Sequence, residues 1–361
     1  MPALTPQVLF DLETQMRIET ESAYDDLNAS LWYDMVARTR STQARRELVL
    51  FLLSTAQIHP QGDGGNVRYD DLVSTYIEMT NKHAGTGLKL RRDQLEDTDG
   101  GGMALAAQWS SDVGQYMRYW PQQMTAAALK GGESTSFSIE GISYDLVGYD
   151  TKALFAADHP LNPFATGLGV YHNIFTGGAG TDTGTGLVYP GACPIDDAVD
   201  LDDAFVNLTK IFSYIRSIRT PNAVTPRGLR PRGILCGPRM YPRVAQLTSA
   251  KFIAQVAGSG AGSADVEAVV KALGFAQPVE APELAGFESD TTFFVVCEQL
   301  QRSKLGALVY LDREPFSINY YTGEGGANVD LARSQELEWL CHGRNGMGIG
   351  HPFLIFKCKG S

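Results

Sequence analysis

Few side chains in this sequence are spaced for chemistry. Asp158, His159 and Pro160 set a carboxylate beside an imidazole, the pairing that general-base catalysis uses when a serine or cysteine nucleophile is within reach. No nucleophile motif stands near them, and a histidine before a proline in a turn reads as a structural residue. Cys341, His342 and His351 offer a thiol and two imidazoles in one short stretch, but their spacing matches no common zinc pattern. Between them, GRNGMGIG has the glycines of a phosphate cradle. Such a loop must open a helix, so that free amides and the helix dipole meet the phosphate, and here a strand is expected to follow. Asn207, Leu208 and Thr209 form a glycosylation sequon, yet they fall on a predicted helix. The acidic run Asp93, Glu96, Asp97 and Asp99 offers ligands for a divalent cation. It also lies where a helix is expected to begin, a place the helix dipole favours for carboxylates, with Arg91 and Arg92 as partners. No catalytic, cofactor-binding or metal-ligating residue is assigned. Arg91, Arg92, Asp93, Glu96 and Asp97 are instead expected to meet a neighbouring chain.

The elements that must position these residues are led by a long amphipathic helix over 103–130. Its apolar residues Ala106, Trp109, Val113, Met117, Trp120, Met124 and Ala127 recur three or four apart, while Ser110, Asp112, Gln115 and Gln122 are expected to face away. Thr98 and Asp99 supply oxygens for its first amides, and Gly131 is expected to close it in the left-handed conformation. Pro121 inside it predicts a kink rather than a break.

Length and composition frame the rest. A chain of 361 residues exceeds one ordinary core, which predicts two domains. Hydrophobic content of 43% and charged content of 20% suit a soluble globular protein, and no apolar run reaches the roughly 20 residues of a membrane span. No secretory signal is visible, so the chain is expected to be cytosolic. Five scattered cysteines suggest reduced, buried thiols rather than a disulfide framework. The net charge of −11 argues against a tight grip on nucleic acid, which needs clustered Lys and Arg.

Before the long helix, residues 1–44 read as an arm. Thr5 and Pro6 start a short helix with Leu9, Leu12 and Met16 on one face, and Leu27, Leu31 and Met35 mark a second helical piece. Residues 45–97 read as an extended loop: strands flank a turn-rich centre, HPQGDGGN, and a helix is possible within 70–79. Neither segment has enough apolar surface to fold alone. The arm needs the rest of this chain or a neighbour to lie on, and 45–97 is either a projection or a small sheet packed on the core. Of these alternatives, the expectation is that each segment is ordered across adjacent copies of the chain. After the long helix, FSIEGISYDLV is a hairpin turning at Glu140 and Gly141. The Gly/Thr-rich stretch 167–194 is expected to be an excursion outside the core. A helix carrying Phe205, Leu208, Ile211, Phe212 and Ile215 then leads into a second domain of strand, turn, helix and strand. The strand 353–357 is expected to return to the sheet beside the long helix.

The order of arm, extended loop, long helix with sheet, second domain and return resembles the tailed-phage major capsid fold of the Hong Kong 97 type. Tyr76, Ile77, Asn81 and Lys82, followed by LRRDQLEDTDGG, are similar to the Mu-like prophage major head subunit family, as are LFAADHPL at 154–161 and the closing HPFLIFKCKG. His351 before the proline and the 167–194 stretch depart from that pattern. The resemblance implies an α+β subunit with a peripheral domain (98–200, rejoined by 316–361) and an axial domain (201–315). It also implies self-assembly of hexamers and pentamers into an icosahedral head around loosely held double-stranded DNA, assembled in the host cytoplasm. Portal, scaffold and cement proteins would be its partners. An encapsulin-like compartment shell, an α+β hydrolase or metal enzyme, and a tail or connector subunit are the competing readings.

Overall fold

The computed structural model describes residues 6–25, 31–52, 74–91, 101–182, 184–223, 225–249, 252–253, 264–265, 277–299, 305–320 and 336–360. Helix α1 (Pro6–Asp25) begins on a proline, whose missing amide is no loss in a first turn. Leu12, Met16 and Thr20, spaced one turn apart, form its buried stripe. The second helical piece expected around Leu27, Leu31 and Met35 is, among the described residues, a single turn, α2 (Tyr33–Val36). Buried Val36 and Ala37 hand the chain directly to strand β1 (Ala37–Ser41). Strands β2 (Arg46–Leu52) and β3 (Ser74–Thr80) pair antiparallel as a ribbon, and β4 (Lys82–Arg91) follows. The glycine-rich centre at 59–66 lies outside the described residues. The helix considered within 70–79 is strand from Ser74 onward. Exposed Tyr76 alternates with buried Ile77 and Met79 at the spacing of a pleat, not of a helical face.

Helix α3 (Gly101–Lys130) runs 30 residues unbroken through Pro121, about 45 Å at a rise of ~1.5 Å per residue. Ala106, Val113 and Met124 of the predicted stripe are buried. Two residues expected to face solvent are buried as well, because the helix is covered on more than one side. Ser110 lies under α1, its carbonyl accepting from Thr20 Oγ1 at 3.1 Å. Gln122 donates to Glu283 Oε1 at 2.6 Å and accepts from the Trp32 amide at 3.2 Å. The caps Thr98 and Asp99 lie outside the described residues. Gly131 does not adopt the left-handed conformation: its amide still donates to Ala127 O at 2.9 Å. Glycine is needed there for space, since a Cβ would stand 2.8 Å from that of Phe137.

The hairpin β5 (Ser136–Ile139) and β6 (Ile142–Asp145) turns at Glu140 and Gly141, both at positive φ, as a twisted two-residue loop requires. Short strands β7 (His159–Pro160), β8 (Val170–Tyr171), β9 (Ile174–Phe175), β10 (Gly180–Thr181) and β11 (Val188–Tyr189) follow. Next come α4 (Leu201–Ser217), with Leu208, Ile211, Phe212 and Ile215 buried, then β12 (Leu229–Cys236) and α5 (Tyr241–Ser249). Strands β13 (Phe252–Ile253), β14 (Ala264–Asp265), β15 (Gln277–Glu280) and β16 (Phe293–Gln299) lead to the long pair β17 (Leu308–Tyr320) and β18 (Glu336–Ile349), and then β19 (Ile355–Cys358).

Two sheets organise the molecule. One has the order β1-β17-β18-β4, the other β15-β12-β16-β19-β9. Two expectations are corrected here. The 167–194 stretch is not wholly an excursion, since β9 closes the five-stranded sheet and Tyr171 and Phe175 are fully buried. The closing strand β19 joins that same sheet, between β16 and β9, rather than the sheet against α3. All five cysteines are free and buried.

The arm and the ribbon also lie on their own chain where they are described, which overturns the expectation that only neighbouring copies order them. Leu12 and Met16 pack with Ala106 of α3 and with Leu337 and Trp339 of β18. Val49, Phe51, Ile77 and Met79 cover Val309 and Leu311 of β17 together with Tyr149. The α1–α3 crossing is close because Gly114 has no side chain: a Cβ there would stand 2.4 Å from Thr20 O. Gly114→Leu should therefore lift α1 and cost about 1–3 kcal/mol, the overpacking penalty outweighing the gain in helix propensity. Thermal unfolding and protease cleavage within 6–25 would report it; an unchanged melt with α1 still protected would refute this crossing.

Candidate functional site

The residues singled out by the sequence do not converge. Arg91 ends β4, opposite Glu336 of β18 in register, and is exposed. Arg92, Asp93, Glu96 and Asp97 lie outside the described residues. Asp158 and His159 are not a pair. The Asp158 side chain points out to Lys152, while His159 is buried and donates from Nδ1 to Asp150 at 2.6 Å. His159 stacks on Tyr171 with ring centroids 5.1 Å apart, and its Nε2 faces Leu154 O at 3.3 Å. The group that orients this imidazole is thus a second carboxylate, Asp150. Among the described residues, its hydrogen-bond partners include no hydroxyl or thiol nucleophile.

Cys341, His342 and His351 are likewise separate. Cys341 is buried in β18, and burial pushes its thiol up to about 12. His342, on the opposite face of that strand, has Nε2 3.5 Å from Glu314. GRNGMGI is itself part of strand β18, so its amides are committed to the ladder with β17 and β4. Asn207 sits on α4 and donates to Pro194 O. Among the described residues, no group of three or more His, Cys, Asp or Glu side chains is placed to hold a metal ion.

What the structure gathers instead is a buried joint that fastens the ribbon to the body. Phe51 of β2 meets the edge of His351 at 5.2 Å and lies tilted on Tyr149 at 5.7 Å. His351 stacks on Phe353 at 4.8 Å, and the Arg227 guanidinium caps Phe353 at 3.7 Å from the ring centre. Burial pushes the phenols of Tyr149 and Tyr171 up, with Arg227 pulling the other way. His351 Nδ1 is shut off from solvent with no hydrogen-bond partner among the described residues. Burial, with the Arg227 charge added, drives this imidazole down to about 3, so it is neutral in the folded chain. Sequence spacing cannot show such a joint, because it draws on five separate parts of the chain. The one visible signal was the aromatic and histidine content of HPF at 351–353.

A second buried ionic cluster fastens β19. Lys357, 1% exposed, donates to Glu288 at 2.6 Å and to Glu133 just beyond α3. Burial alone would raise the Glu288 carboxyl, but the Lys357 and Thr292 hydrogen bonds outweigh it and hold that carboxyl low. Among the described residues, the outer face of the ribbon carries an apolar patch: Leu48, Leu50 and Tyr76 are 57%, 73% and 62% exposed.

No protein-family model and no curated protein matches the sequence. Among solved structures, the chain is similar to the capsid of Myoviridae phage XM1, with a TM-score of 0.52 and 8% identity over 92% of each chain. It is also similar to the procapsid of bacteriophage JBD30, with a TM-score of 0.47 and 13% identity over 99% of this chain and 77% of that one. A third likeness is to Mycobacterium phage Patience, at a TM-score of 0.48 and 10% identity over 97% and 86%. The likeness at such identity is one of fold. The chain has the α+β fold of phage capsid subunits of the Hong Kong 97 type.

The joint makes a pH prediction. A histidine free at about 6.5 when unfolded and held near 3 when folded gives stability that is fully present above pH 6.5. That stability is lost as the pH falls, at roughly 1.4 kcal/mol per unit down to about pH 3. His351→Phe should remove this component. The wild-type melting temperature should fall more steeply than the variant's between pH 6.5 and 4, and parallel curves would show that His351 is not the group responsible.

Proposed function

We infer that this chain is the major subunit of an icosahedral phage head, built from many copies of itself, and that within the fold it stands nearest the Mu-like prophage head subunits. The single observation that carries this is the pairing of a capsid fold with a ribbon whose outer face is apolar and uncovered. Leu48, Leu50 and Tyr76 lie side by side there, since Leu50 is directly opposite Tyr76 in register. A soluble subunit seldom exposes such a patch without a partner to cover it. In a shell every copy offers this face to the next, and many modest contacts sum to a stable particle. Arg91, with Arg92, Asp93, Glu96 and Asp97, belongs to the same set of contacts between copies.

The role is structural. The conspicuous polar clusters, around His159 and Lys357, are buried and internally paired, which suits fastening rather than turnover. The net charge of −11 suits a container that does not grip the double-stranded DNA packed within it. Portal, scaffold and cement proteins complete the particle, which is assembled in the host cytoplasm. An encapsulin-like compartment shell uses the same fold around protein cargo, so the content of the particle separates the two.

The purified protein, viewed by negative-stain electron microscopy, should form capsomers or closed shells, with nuclease-protected DNA inside those recovered from infected cells. Leu50→Asp combined with Tyr76→Asp should leave the subunit's melting temperature within a few degrees of wild type and lower the assembled fraction by on the order of tenfold or more. A wild-type chain that stays monomeric at high concentration would overturn this reading.

A further inference from the structure

Three carboxylates on the strands around the ribbon's root are already engaged. Glu47 bridges to Arg40 at 2.8 Å, Glu78 to Arg46 at 3.0 Å, and Glu314 to Arg344 at 3.1 Å. A cavity of about 690 Å³ remains there, lined by Arg45, Lys82, His83, Arg313 and Arg344 with Asn81, and no acid lines it. Lys82 donates to Ser143 O, a neutral group, and neither Arg45 nor Arg313 has an acidic partner among the described residues. Asn81 is 7% exposed and holds its Nδ2 on Ala44 O, while its Oδ1 has no hydrogen-bond partner among the described residues. In a chain of net charge −11 this is a concentrated positive site, of whose three arginines only Arg344 meets a carboxylate among the described residues.

The matching charge lies on the other side of the same sheet. Alternate residues of a strand point to opposite faces. Along β17, Val309 and Leu311 face the ribbon, with Arg313 beyond them, whereas Tyr310 and Asp312 line a cleft against α1 and α3. A bulge between Asp312 and Glu314 sits where the chain changes sides. That cleft, about 710 Å³, is rimmed by Glu13, Glu21 and Asp25 of α1 and by Asp312, with Arg17 the single cation among its lining residues. Burial pushes the Asp312 carboxyl up with no cation to hold it down. A sheet separates the two features, so one copy cannot bring them together.

We propose that the basic pocket at the ribbon root of one copy receives the acidic edge of α1, Glu13, Glu21 and Asp25, of a second copy. This deepens the shell reading and rests on it. The contact joins different surfaces of the two copies, so it propagates head to tail and closes into a ring when the rotation allows. The apolar face of Leu48, Leu50 and Tyr76 is continuous with the pocket through β2 and β3 and would lie in the same interface. Carboxylate against guanidinium then sets partner and register, while the apolar face supplies area.

The test is a charge swap on the full chain. Arg45→Glu with Arg313→Glu, and separately Glu21→Lys with Asp25→Lys, should each lower the assembled fraction at low salt by on the order of tenfold, with the subunit melt unchanged. Combining all four changes in one chain should restore assembly, because each reversed pocket then meets a reversed edge. Assembly of wild type with no loss in either double variant overturns the proposal and leaves the shell reading standing. So does loss in both without restoration in the combined chain. Normal shells that lose their DNA only in Arg45→Glu, Arg313→Glu overturn it too, by assigning the pocket to nucleic acid. Should the reversals unfold the subunit, the neutral pair Arg45→Gln, Arg313→Gln carries the same comparison, with weakened assembly expected and undiminished assembly refuting it.

Discussion

The long antiparallel pair β17 and β18 is the constraint on which the rest of the molecule hangs. Its ladder runs from Leu308 opposite Ile349 to Tyr320 opposite Trp339, and each outer edge of the pair is completed from the N-terminal part of the chain. β1 adds in parallel to β17, with Ala37 opposite Leu308, and β4 adds antiparallel to β18, with Leu90 opposite Leu337. One face of this sheet carries α1 and α3; the other carries the ribbon. The pairing thus fixes where arm, long helix and ribbon lie, although some 270 residues of sequence separate the partners in β1 and β17. Pairing at such a distance carries a large loop-closure entropy, which other contacts must offset.

Much of this was legible locally. Pro6 placed the start of α1, the three- and four-residue spacing from Ala106 to Met124 placed α3, and Glu140 with Gly141 placed the hairpin turn. These features depend on neighbours in sequence. The errors came where distant contacts decided the outcome. Ser110 and Gln122 are polar and sit off the apolar stripe, yet Thr20, Trp32 and Glu283, all remote in sequence, give their polar groups partners inside the protein. Gly131 looked like a left-handed cap and is instead a spacer for Phe137. The glycine and threonine content around 170–189 concealed that Tyr171 and Phe175 are core residues.

The candidate sites were less legible than the fold, for the same reason. His159 stood beside Asp158 in sequence and chose Asp150, because the turn that buries the imidazole leaves Asp158 outside with Lys152. His351, whose spacing from Cys341 and His342 matches no common zinc pattern, is an aromatic spacer between Phe51 and Phe353, neutral by burial. The charged cavity at the ribbon root combines Arg45, Asn81, Arg313 and Arg344, which no motif links. Only the strand pairing brings them to one place, with Arg313 on the ribbon side by the same alternation that puts Val309 and Leu311 there.

The burial of all five thiols has a consequence for durability. Each is removed from water, and for each of them burial raises the energy of the thiolate, the form that oxidants and disulfides attack. Thiol chemistry is thereby suppressed in the folded chain. Passage from a reducing compartment into an oxidising one should leave these five thiols unpaired as long as the chain stays folded.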